Sequence, residues 1–324
     1  MKPALRNVMA AIICGLCVAT FSVHAQKFPD RPVRFIVPSA SGGAPDISSR
    51  IVAAELTRQL GKQFVIDNRP GASGSIGTEL IARAVPDGYT IGQGNFSTLG
   101  TIRSLLKLPY DTDRDLQLIG QYSTLANILA VTPQLPVRSA QELIEYAKSN
   151  PDKLLFASTG NGSSMHLSIE LFKRMTGTRM MHVPFKGAQQ GVTDLIAGQV
   201  QVMCDNMSSI GPQVKAGRVR ALAVTSVKRS AAYPELSTVA ESGLPGFEVV
   251  TFGGLVAPAG VPRPIVDLLN KALNNAVESN TLREKFALNG SEPVGGTPEQ
   301  FAEFVKREST KWAEVIKGAN IKPD

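Results

Sequence analysis

The sequence predicts an α/β fold whose mostly parallel sheets are divided between two lobes. Apolar runs typical of strands alternate with helix-type patterns almost from end to end, which indicates parallel strands covered on both faces by helices. Two similar Ser- and Gly-rich loops, in different halves of the chain, each connect such a strand to a helix. Since open α/β sheets bind ligands at the carboxyl ends of strands, this pair predicts a ligand held between two lobes.

The elements of the first half follow from apolar spacing and turn residues. Val33–Val37 is a strand run, and residues 46–60 carry apolar side chains at helical spacing. Asp46 is a typical N-cap for this helix, and Gly61 is a typical stop. The remaining elements predicted here are a strand at 64–67, a helix carrying Ile76, Leu80 and Ile81, a strand at 89–92, a polar loop at 95–98 and an extended stretch at 118–130.

The second half repeats the pattern. Ser139 to Glu142 form a capping box that begins a helix, and a second capping box, Thr297 to Gln300, begins the last helix. The elements predicted between them are strands at 154–158, 200–205 and 221–225, helices at 163–175, about 187–197 and 262–279, and an extended stretch at 246–256.

The first 25 residues are predicted to be a cleaved export signal. Lys2 and Arg6 precede an apolar run at 8–23, and residues 23–25 fit the small-x-small rule for cleavage after Ala25. A retained transmembrane helix is the alternative, although the run is short for a bilayer. Cleavage leaves 299 residues, of which 32 are basic, 27 are acidic and one is cysteine, so an internal disulfide is excluded. The basic residues are spread along the chain, so we expect no nucleic-acid partner.

The two loops offer hydroxyl groups and backbone amides to an anion. The first loop comprises residues 39–43 and the second residues 159–164, and each opens into a helix whose first N–H groups lack intrahelical partners. Such donors hold a carboxylate without a buried arginine, which would itself need pairing. Asp205, at the end of a strand, is expected either to cap a neighbouring loop or to accept from a ligand hydroxyl, a ligand amine or water.

Signatures of catalysis and of metal binding are missing from the sequence. It contains no Gly-x-Ser-x-Gly elbow and no P-loop. His166 and His182 do not stand at metal-ligand spacing, and the acidic run from Asp111 has Leu116 and Tyr122 where a calcium loop needs Gly and Glu. We therefore expect no enzyme activity, no cofactor and no metal. An exported hydrolase or isomerase is the disfavoured alternative.

A series of short motifs runs through the chain in a fixed order. They are Arg31-Pro32-Val33-Arg34-Phe35-Ile36-Val37-Pro38, Gly42-Gly43-Ala44 with Asp46, Asn68-Arg69-Pro70-Gly71-Ala72 with Gly74, Pro86-Asp87-Gly88-Tyr89-Thr90, Leu108-Pro109-Tyr110-Asp111, Ser158-Thr159-Gly160-Asn161-Gly162-Ser163, His182-Val183-Pro184-Phe185-Lys186-Gly187, Ala216-Gly217-Arg218-Val219-Arg220-Ala221-Leu222-Ala223-Val224-Thr225 and Gly295-Gly296-Thr297-Pro298-Glu299-Gln300-Phe301. In these motifs the chain resembles the Bug (Bordetella uptake gene) family, the periplasmic solute-binding receptors of tripartite tricarboxylate transporters. The resemblance covers essentially all of the chain after residue 25.

The resemblance implies a type II periplasmic-binding-protein (Venus-flytrap) fold. Lobe 1 would comprise residues 26–123 plus 248–324 and lobe 2 residues 124–247, with crossovers near 121–126 and 246–251. It also implies a periplasmic monomer that delivers an organic acid, a mono-, di- or tricarboxylate and aromatic in some cases, to a membrane permease. The expected ligand-binding residues are Ser39, Ala40, Ser41, Gly42, Gly43, Asp46, Ser97, Thr98, Thr159, Asn161, Gly162, Ser163, Ser164, Phe185, Asp205 and Phe252.

The sequence departs from the family pattern beside the expected site. The first loop of the family usually reads Val-Pro-Phe-x-Pro-Gly-Gly, and here Ser39 and Ser41 replace the Phe and the second Pro. Phe252-Gly253-Gly254 stands where members often carry Trp-Phe-Gly. Smaller side chains at these positions predict a roomier or more polar pocket than in relatives that bind small amino-dicarboxylates. A receptor that feeds a signalling partner is the alternative to transport.

Overall fold

The computed structural model describes residues 28–323, so the predicted leader and its cleavage site lie outside the described part of the chain. Ten strands are present in this range. They are β1 (Val33–Val37), β2 (Phe64–Asn68), β3 (Thr90–Asn95), β4 (Leu116–Val131), β5 (Leu155–Ser158), β6 (Met181–Pro184), β7 (Val202–Asn206), β8 (Arg220–Val224), β9 (Val250–Pro258) and β10 (Ser291–Pro293).

Nine α-helices lie among these strands within residues 28–323. They are α1 (Ala44–Leu60), α2 (Ser75–Ala82), α3 (Ala140–Ser149), α4 (Ser164–Thr176), α5 (Ala188–Ala197), α6 (Met207–Lys215), α7 (Arg263–Glu278), α8 (Asn280–Leu288) and α9 (Pro298–Gly318). No helix in the described range combines the length and the apolar character that a membrane crossing requires.

One long strand connects the two halves of the sheet. The strand order is β2-β1-β3-β9-β4-β7-β5-β6, and β8 and β10 also pair with β4. Along β4, the residues up to Ala126 pair with β9, and those from Asn127 to Val131 pair with β7. Each half is parallel in its outer part, where β1 pairs with β2 and β3, and β5 pairs with β6 and β7. The central strands β4 and β9 run antiparallel to their neighbours.

Helices cover both faces of the sheet, which explains why β1 is apolar at every position except Arg34. Phe35 belongs to an apolar cluster with Leu56 of α1 and Leu269 of α7. Its neighbour Ile36 belongs to a second cluster, which contains Trp312 of α9. Both strand residues are fully buried. The α/β prediction, with sheets flanked by helices, is thus confirmed.

Several local predictions were wrong, because polar side chains satisfy backbone groups that the apolar pattern does not report. Gly43, rather than Asp46, is the N-cap of α1. Residues 95–98 do not form an irregular loop but begin a π-helical turn, Phe96–Thr101, in which Asn95 and Thr98 cap each other's backbone N–H groups. The predicted helix carrying Ile76, Leu80 and Ile81 is present as α2, in which Ile81 is buried and Ile76 and Leu80 are exposed.

The capping predictions had mixed outcomes. Thr297 and Gln300 form the predicted capping box at the start of α9. Ser139 caps α3 by accepting from Glu142 N, but the Glu142 carboxylate accepts from Arg138 N at 2.7 Å rather than from the Ser139 amide. The elements that were not predicted include α6, α8 and β10.

Candidate functional site

Two adjoining cavities lie where loops from the two halves of the sheet approach each other. The first has a volume of ≈ 410 Å³ and the second of ≈ 430 Å³. They share part of their lining and therefore adjoin, and we call the two cavities together the cleft. The shared residues are Ala44, Pro45, Ser48, Ser164, Asn206 and Ser291.

Asp46 organises the loop between β1 and α1. Its carboxylate accepts hydrogen bonds from Gly42 N at 2.8 Å, Arg50 Nε at 3.0 Å and Asn68 Nδ2 at 2.9 Å. Burial by itself raises the pKa of Asp46, but these hydrogen bonds outweigh burial and hold the pKa below its usual value. The charged carboxylate therefore fixes its own loop, and it lines neither cavity.

The same loop supplies donors to both cavities. Ser39 lines the first cavity, and its hydroxyl is buried with no hydrogen-bond partner among the described residues. Gly42 and Gly43 line the second cavity, and Ala44, the first residue of α1, lines both. The first amides of a helix lack intrahelical acceptors and lie at the positive end of its dipole. This loop is therefore suited to an anionic group.

The second loop, residues 159–164, reaches the cleft from the opposite side. Ser163 Oγ donates to Gly160 O at 2.8 Å and accepts from His166 N at 3.2 Å, so this side chain closes the loop and caps α4. Ser163 lines the first cavity, Thr159 lines the second, and Ser164 lines both. The two Ser/Gly loops thus meet at one cleft, as their sequence pattern predicted.

Two stacked imidazole rings support the second loop from behind. The centroids of His166 and His182 lie 4.0 Å apart with an interplanar angle of 11°, and Phe156 stacks against both rings. His166 Nδ1 accepts from Gly162 N at 3.3 Å. His182 Nε2 shares a hydrogen bond with Ser158 Oγ. Neither histidine lines a cavity, so their role here is to position the loop.

Asp205 brings the one acidic side chain to the cleft. It is 1 % exposed and lies near the carboxyl end of β7. Oδ1 accepts from Asn206 N at 2.7 Å, and the Ser209 side chain lies beside the same carboxylate. Burial raises the pKa of the Asp205 carboxyl, and contacts with Asn206 and Ser209 offset only part of that rise. Both side chains line the second cavity.

The rest of the lining is uncharged. Within residues 28–323, Asp205 is the only ionisable side chain on either cavity wall. Hydroxyl and amide groups alternate with apolar surfaces, and the apolar wall of the first cavity includes Pro38, Pro70, Phe96, Leu125 and Phe252. No group of His, Cys, Asp and Glu side chains in the described range is arranged to hold a metal ion.

Nine of the sixteen predicted residues line the cleft, and their role in binding stays a prediction. They are Ser39, Gly42, Gly43, Ser97, Thr159, Ser163, Ser164, Asp205 and Phe252. The other seven line neither cavity: Ala40, Ser41, Asp46, Thr98, Asn161, Gly162 and Phe185.

Three of these seven have clear internal roles. Ser41 contacts the Asp46 carboxylate. Thr98 is fully buried in its capping interaction with Asn95. Gly162 accepts a hydrogen bond from Thr101 through its carbonyl.

Sequence reasoning missed several polar residues that line the first cavity. Gln93 and Asn95 lie two residues apart near the end of β3, and their strand spacing was the available signal. Ser123 lies within β4, and Thr251 lies near the start of β9. Because Ser123 and Thr251 lie within largely apolar strands rather than in Ser/Gly loops, no local pattern separates these two from ordinary sheet positions.

Comparison with known proteins finds a family model and a relative that each match most of this chain. The family model described as "Tripartite tricarboxylate transporter family receptor" matches residues 48–321. Protein BugT of Bordetella pertussis is 35% identical over 318 residues, which is 96% of this chain and 98% of BugT.

Two solved structures of relatives contain carboxylates. Rpa4515 of R. palustris, solved with adipate, has a TM-score of 0.82 and 38% identity, covering 92% of this chain and 100% of that one. MatC (Rpa3494) of Rhodopseudomonas palustris, solved with bound malate, has a TM-score of 0.77 and 33% identity, covering 89% of this chain and 100% of that one.

Proposed function

Because this chain belongs to the tripartite tricarboxylate transporter receptor family, we propose that it is a periplasmic receptor that captures an organic carboxylate between two lobes. It then presents the ligand to a membrane permease. Membership of a receptor family also confirms the expectation of a binding protein rather than an enzyme.

One observation carries the proposal, namely that the two Ser/Gly loops converge on one cleft whose lining contains no Arg or Lys from residues 28–323. A carboxylate placed there is held by hydroxyl and backbone N–H donors, among them the unpartnered Ser39 hydroxyl. Hydrogen bonds to a charged group are stronger than neutral ones, so a few fixed donors suffice to hold an anion. The adipate and malate found in relatives belong to the same ligand class.

The sheet supports a division into the two proposed lobes, residues 26–123 plus 248–324 and residues 124–247. The hydrogen-bonding partner of β4 changes from β9 to β7 between Ala126 and Asn127. The first Ser/Gly loop belongs to lobe 1 and the second to lobe 2. A ligand that touches both loops binds the closed arrangement better than an open one, and this difference in affinity drives closure.

A thermal-shift screen of mono-, di- and tricarboxylates tests the proposed ligand class, since a ligand specific to the native state raises Tm. Uncharged analogues, such as the corresponding amides, are the matched controls. We expect at least one carboxylate to raise Tm and its amide not to do so. Absence of binding by every carboxylate would contradict the proposal.

Deletion of the permease genes then tests delivery, because loss of uptake is expected for transport and loss of a response alone for signalling.

Two serine variants test the placement of the site. Ser39 Oγ has no protein partner, and no side-chain hydrogen bond of Ser164 is found among the described residues. Ser39→Ala and Ser164→Ala should therefore weaken binding about 3- to 10-fold each while leaving Tm of the ligand-free protein nearly unchanged. Ser149→Ala, on the exposed face of α3 and outside both cavities, is the control. Unchanged affinity in both cleft variants would refute the site.

A further inference from the structure

A buried tyrosine lies behind the wall of the first cavity. Tyr122 is fully buried in β4, near the expected crossover at 121–126, and it lines neither cavity. The pairing of β4 with β9 changes register between Gln121 and Ser123, so that Tyr122 lies in a β-bulge. Bulges redirect side chains from the regular alternation of a strand and are common beside functional sites. Tyr122 is therefore a candidate for a role beyond packing.

The ring of Tyr122 has little room to move. A Cβ added to Gly253 would lie 2.5 Å from Cε2 of this ring, so the ring packs directly against the Gly253 backbone, and Gly253 lines the first cavity. The Phe286 ring of α8 also packs nearby, with 6.5 Å between the two ring centroids. This packing fixes the position of the Tyr122 hydroxyl.

The hydroxyl joins three polar side chains inside the protein. Gln93 Nε2 donates to Tyr122 Oη at 2.7 Å, and Ser49 Oγ shares a hydrogen bond with the same atom at 3.2 Å. The Ser48 side chain also lies beside the hydroxyl. Buried polar groups that are fully hydrogen-bonded make the surrounding structure rigid. The Tyr122 hydroxyl therefore connects β4 to β3 and to α1.

Gln93 extends this network to the first cavity. Its Nε2 also donates to Pro45 O, in the first turn of α1, at 3.0 Å, and its Oε1 accepts from Asn95 Nδ2 at 3.3 Å. Gln93, Pro45 and Asn95 all line the first cavity. Since Asn95 Oδ1 accepts from Thr98 N at 3.1 Å, the Asn95 amide is held at both ends. The second N–H of Asn95 Nδ2 makes no hydrogen bond with the described residues and is available to a ligand.

We propose that Tyr122 is a positioning residue for carboxylate binding, which acts through Gln93 on the first turn of α1 and on the Asn95 amide. The inference rests on the proposed function, because it takes the N–H groups at the start of α1 as donors to the ligand. Donors that already have their binding geometry do not have to be ordered by the ligand, and this strengthens binding.

Removal of the hydroxyl is expected to loosen this arrangement. One N–H of Gln93 then loses its acceptor inside the protein, which is unfavourable, so the side chain no longer keeps a single position. The apparent Kd rises in inverse proportion to the fraction of molecules that keep the binding-competent arrangement.

Tyr122→Phe tests the proposal, because it removes the hydroxyl and keeps the ring. Titration calorimetry with adipate, malate and any other carboxylate that raises Tm in the thermal-shift screen should show about 3- to 10-fold weaker binding, as for one net hydrogen bond. Tyr146→Phe, in α3 and outside both cavities, is the matched control and should bind like the wild type. Titrations well below Tm of every variant prevent a loss of stability from lowering the measured affinity.

A double-mutant cycle with Gln93→Met separates positioning from a purely structural role. Gln93→Met should weaken binding by itself, because the first turn of α1 and Asn95 both lose their contacts with this side chain. Adding Tyr122→Phe to Gln93→Met should then change affinity less than about 2-fold, since the connection is already broken. An equal loss of affinity from Tyr122→Phe in both backgrounds would overturn the inference.

Ser49→Ala is the second variant, and it decides the test if Tyr122→Phe does not fold. Ser49 is fully buried and lines neither cavity, so this change removes a partner of the Tyr122 hydroxyl and leaves the cavity wall intact. Binding should weaken about 2- to 5-fold. Wild-type affinity in folded Tyr122→Phe, or in Ser49→Ala if the former does not fold, would overturn the inference. The wild type still binds a carboxylate in these cases, whereas a wild type that binds none would overturn the proposed function.

Discussion

Replacement of Gly162 by alanine is expected to oppose closure of the two lobes. Gly162 lies in the second Ser/Gly loop with φ +77, and a Cβ at this position would overlap Cδ1 of Leu105, which falls in the proposed lobe 1. The overlap exists only while the lobes are together. Gly162→Ala should therefore reduce ligand affinity more than it reduces the stability of the fold.

The structure separates the two contributions to this effect. A left-handed backbone costs a non-glycine residue about 1 kcal/mol in both open and closed states. The overlap adds an overpacking cost of about 1–3 kcal/mol in the closed state alone, because Leu105 has to move. Affinity should accordingly fall about 5- to 100-fold, at 1.4 kcal/mol per tenfold change.

Titration calorimetry measures the affinity. Thermal unfolding of the ligand-free protein measures the backbone cost that the open and closed states have in common. Gly177→Ala is the matched control, since Gly177 has φ +69 but nothing within 4 Å of an added Cβ. It should lower Tm without changing affinity. Adding Leu105→Ala to Gly162→Ala should restore part of the lost affinity. Wild-type affinity in Gly162→Ala would refute the reasoning.

Three further predictions concern groups in and around the cleft. Since folding raises the pKa of Asp205 from 3.8, the stability that its protonated form contributes is lost as pH rises through the folded pKa. Asp205→Asn should therefore stabilise the ligand-free protein by about 1–3 kcal/mol at pH 7. A gain in Tm that does not shrink towards pH 4 would contradict this. The effect at Asp46 has the opposite sign, because folding lowers the pKa of this carboxyl. Asp46→Asn should lower the free energy of unfolding by about 1–3 kcal/mol at pH 7, and this loss should fade as pH falls below about 4. Equal denaturant midpoints of variant and wild type at pH 7 would contradict this prediction. His166→Phe keeps a ring in the stack but removes the acceptor for Gly162 N, so titration should show a roughly 5-fold loss of affinity, and an unaltered Kd would exclude the positioning role.

Much of the architecture could be predicted because the apolar patterns and the capping residues of the sequence agree with the elements that the folded chain forms. The apolar residues of β1 are all buried, and Thr297 with Gln300 caps α9 as its sequence indicates. Predictions failed where a helix contains residues that disfavour helices, or where an element is short. Helix α6 contains Gly211 and Pro212, and two short elements, α8 and β10, follow the long helix α7 closely. Propensity alone does not identify such segments.

The site could be predicted as far as its loops, but not as far as the side chains that face the cleft. Ser39 and Asp46 lie in the same polar stretch, yet the hydroxyl of Ser39 lines the first cavity and the Asp46 carboxylate is turned to its own loop. Thr98 likewise caps a turn instead of lining the cavity. The direction of a polar side chain depends on which backbone groups remain unsatisfied, and that is settled only by the folded loop.

The family inferred from the sequence motifs is confirmed by the family model and by BugT. The motifs succeeded because they combine residues from nearly the whole chain, whereas each alone describes an ordinary turn. The departures at Ser39, Ser41 and Phe252 cannot be converted into a ligand name, since the cleft also depends on residues such as Gln93 and Ser123 that the motifs do not contain. The roomier or more polar pocket stays a prediction.

A crystal structure of the complex with the tightest-binding carboxylate tests the central claim most directly. We expect carboxylate oxygens within about 3.2 Å of N–H or O–H donors from both residues 39–43 and residues 159–164, with no Arg or Lys partner. A ligand held by one loop alone, or paired with a cationic side chain, would contradict it.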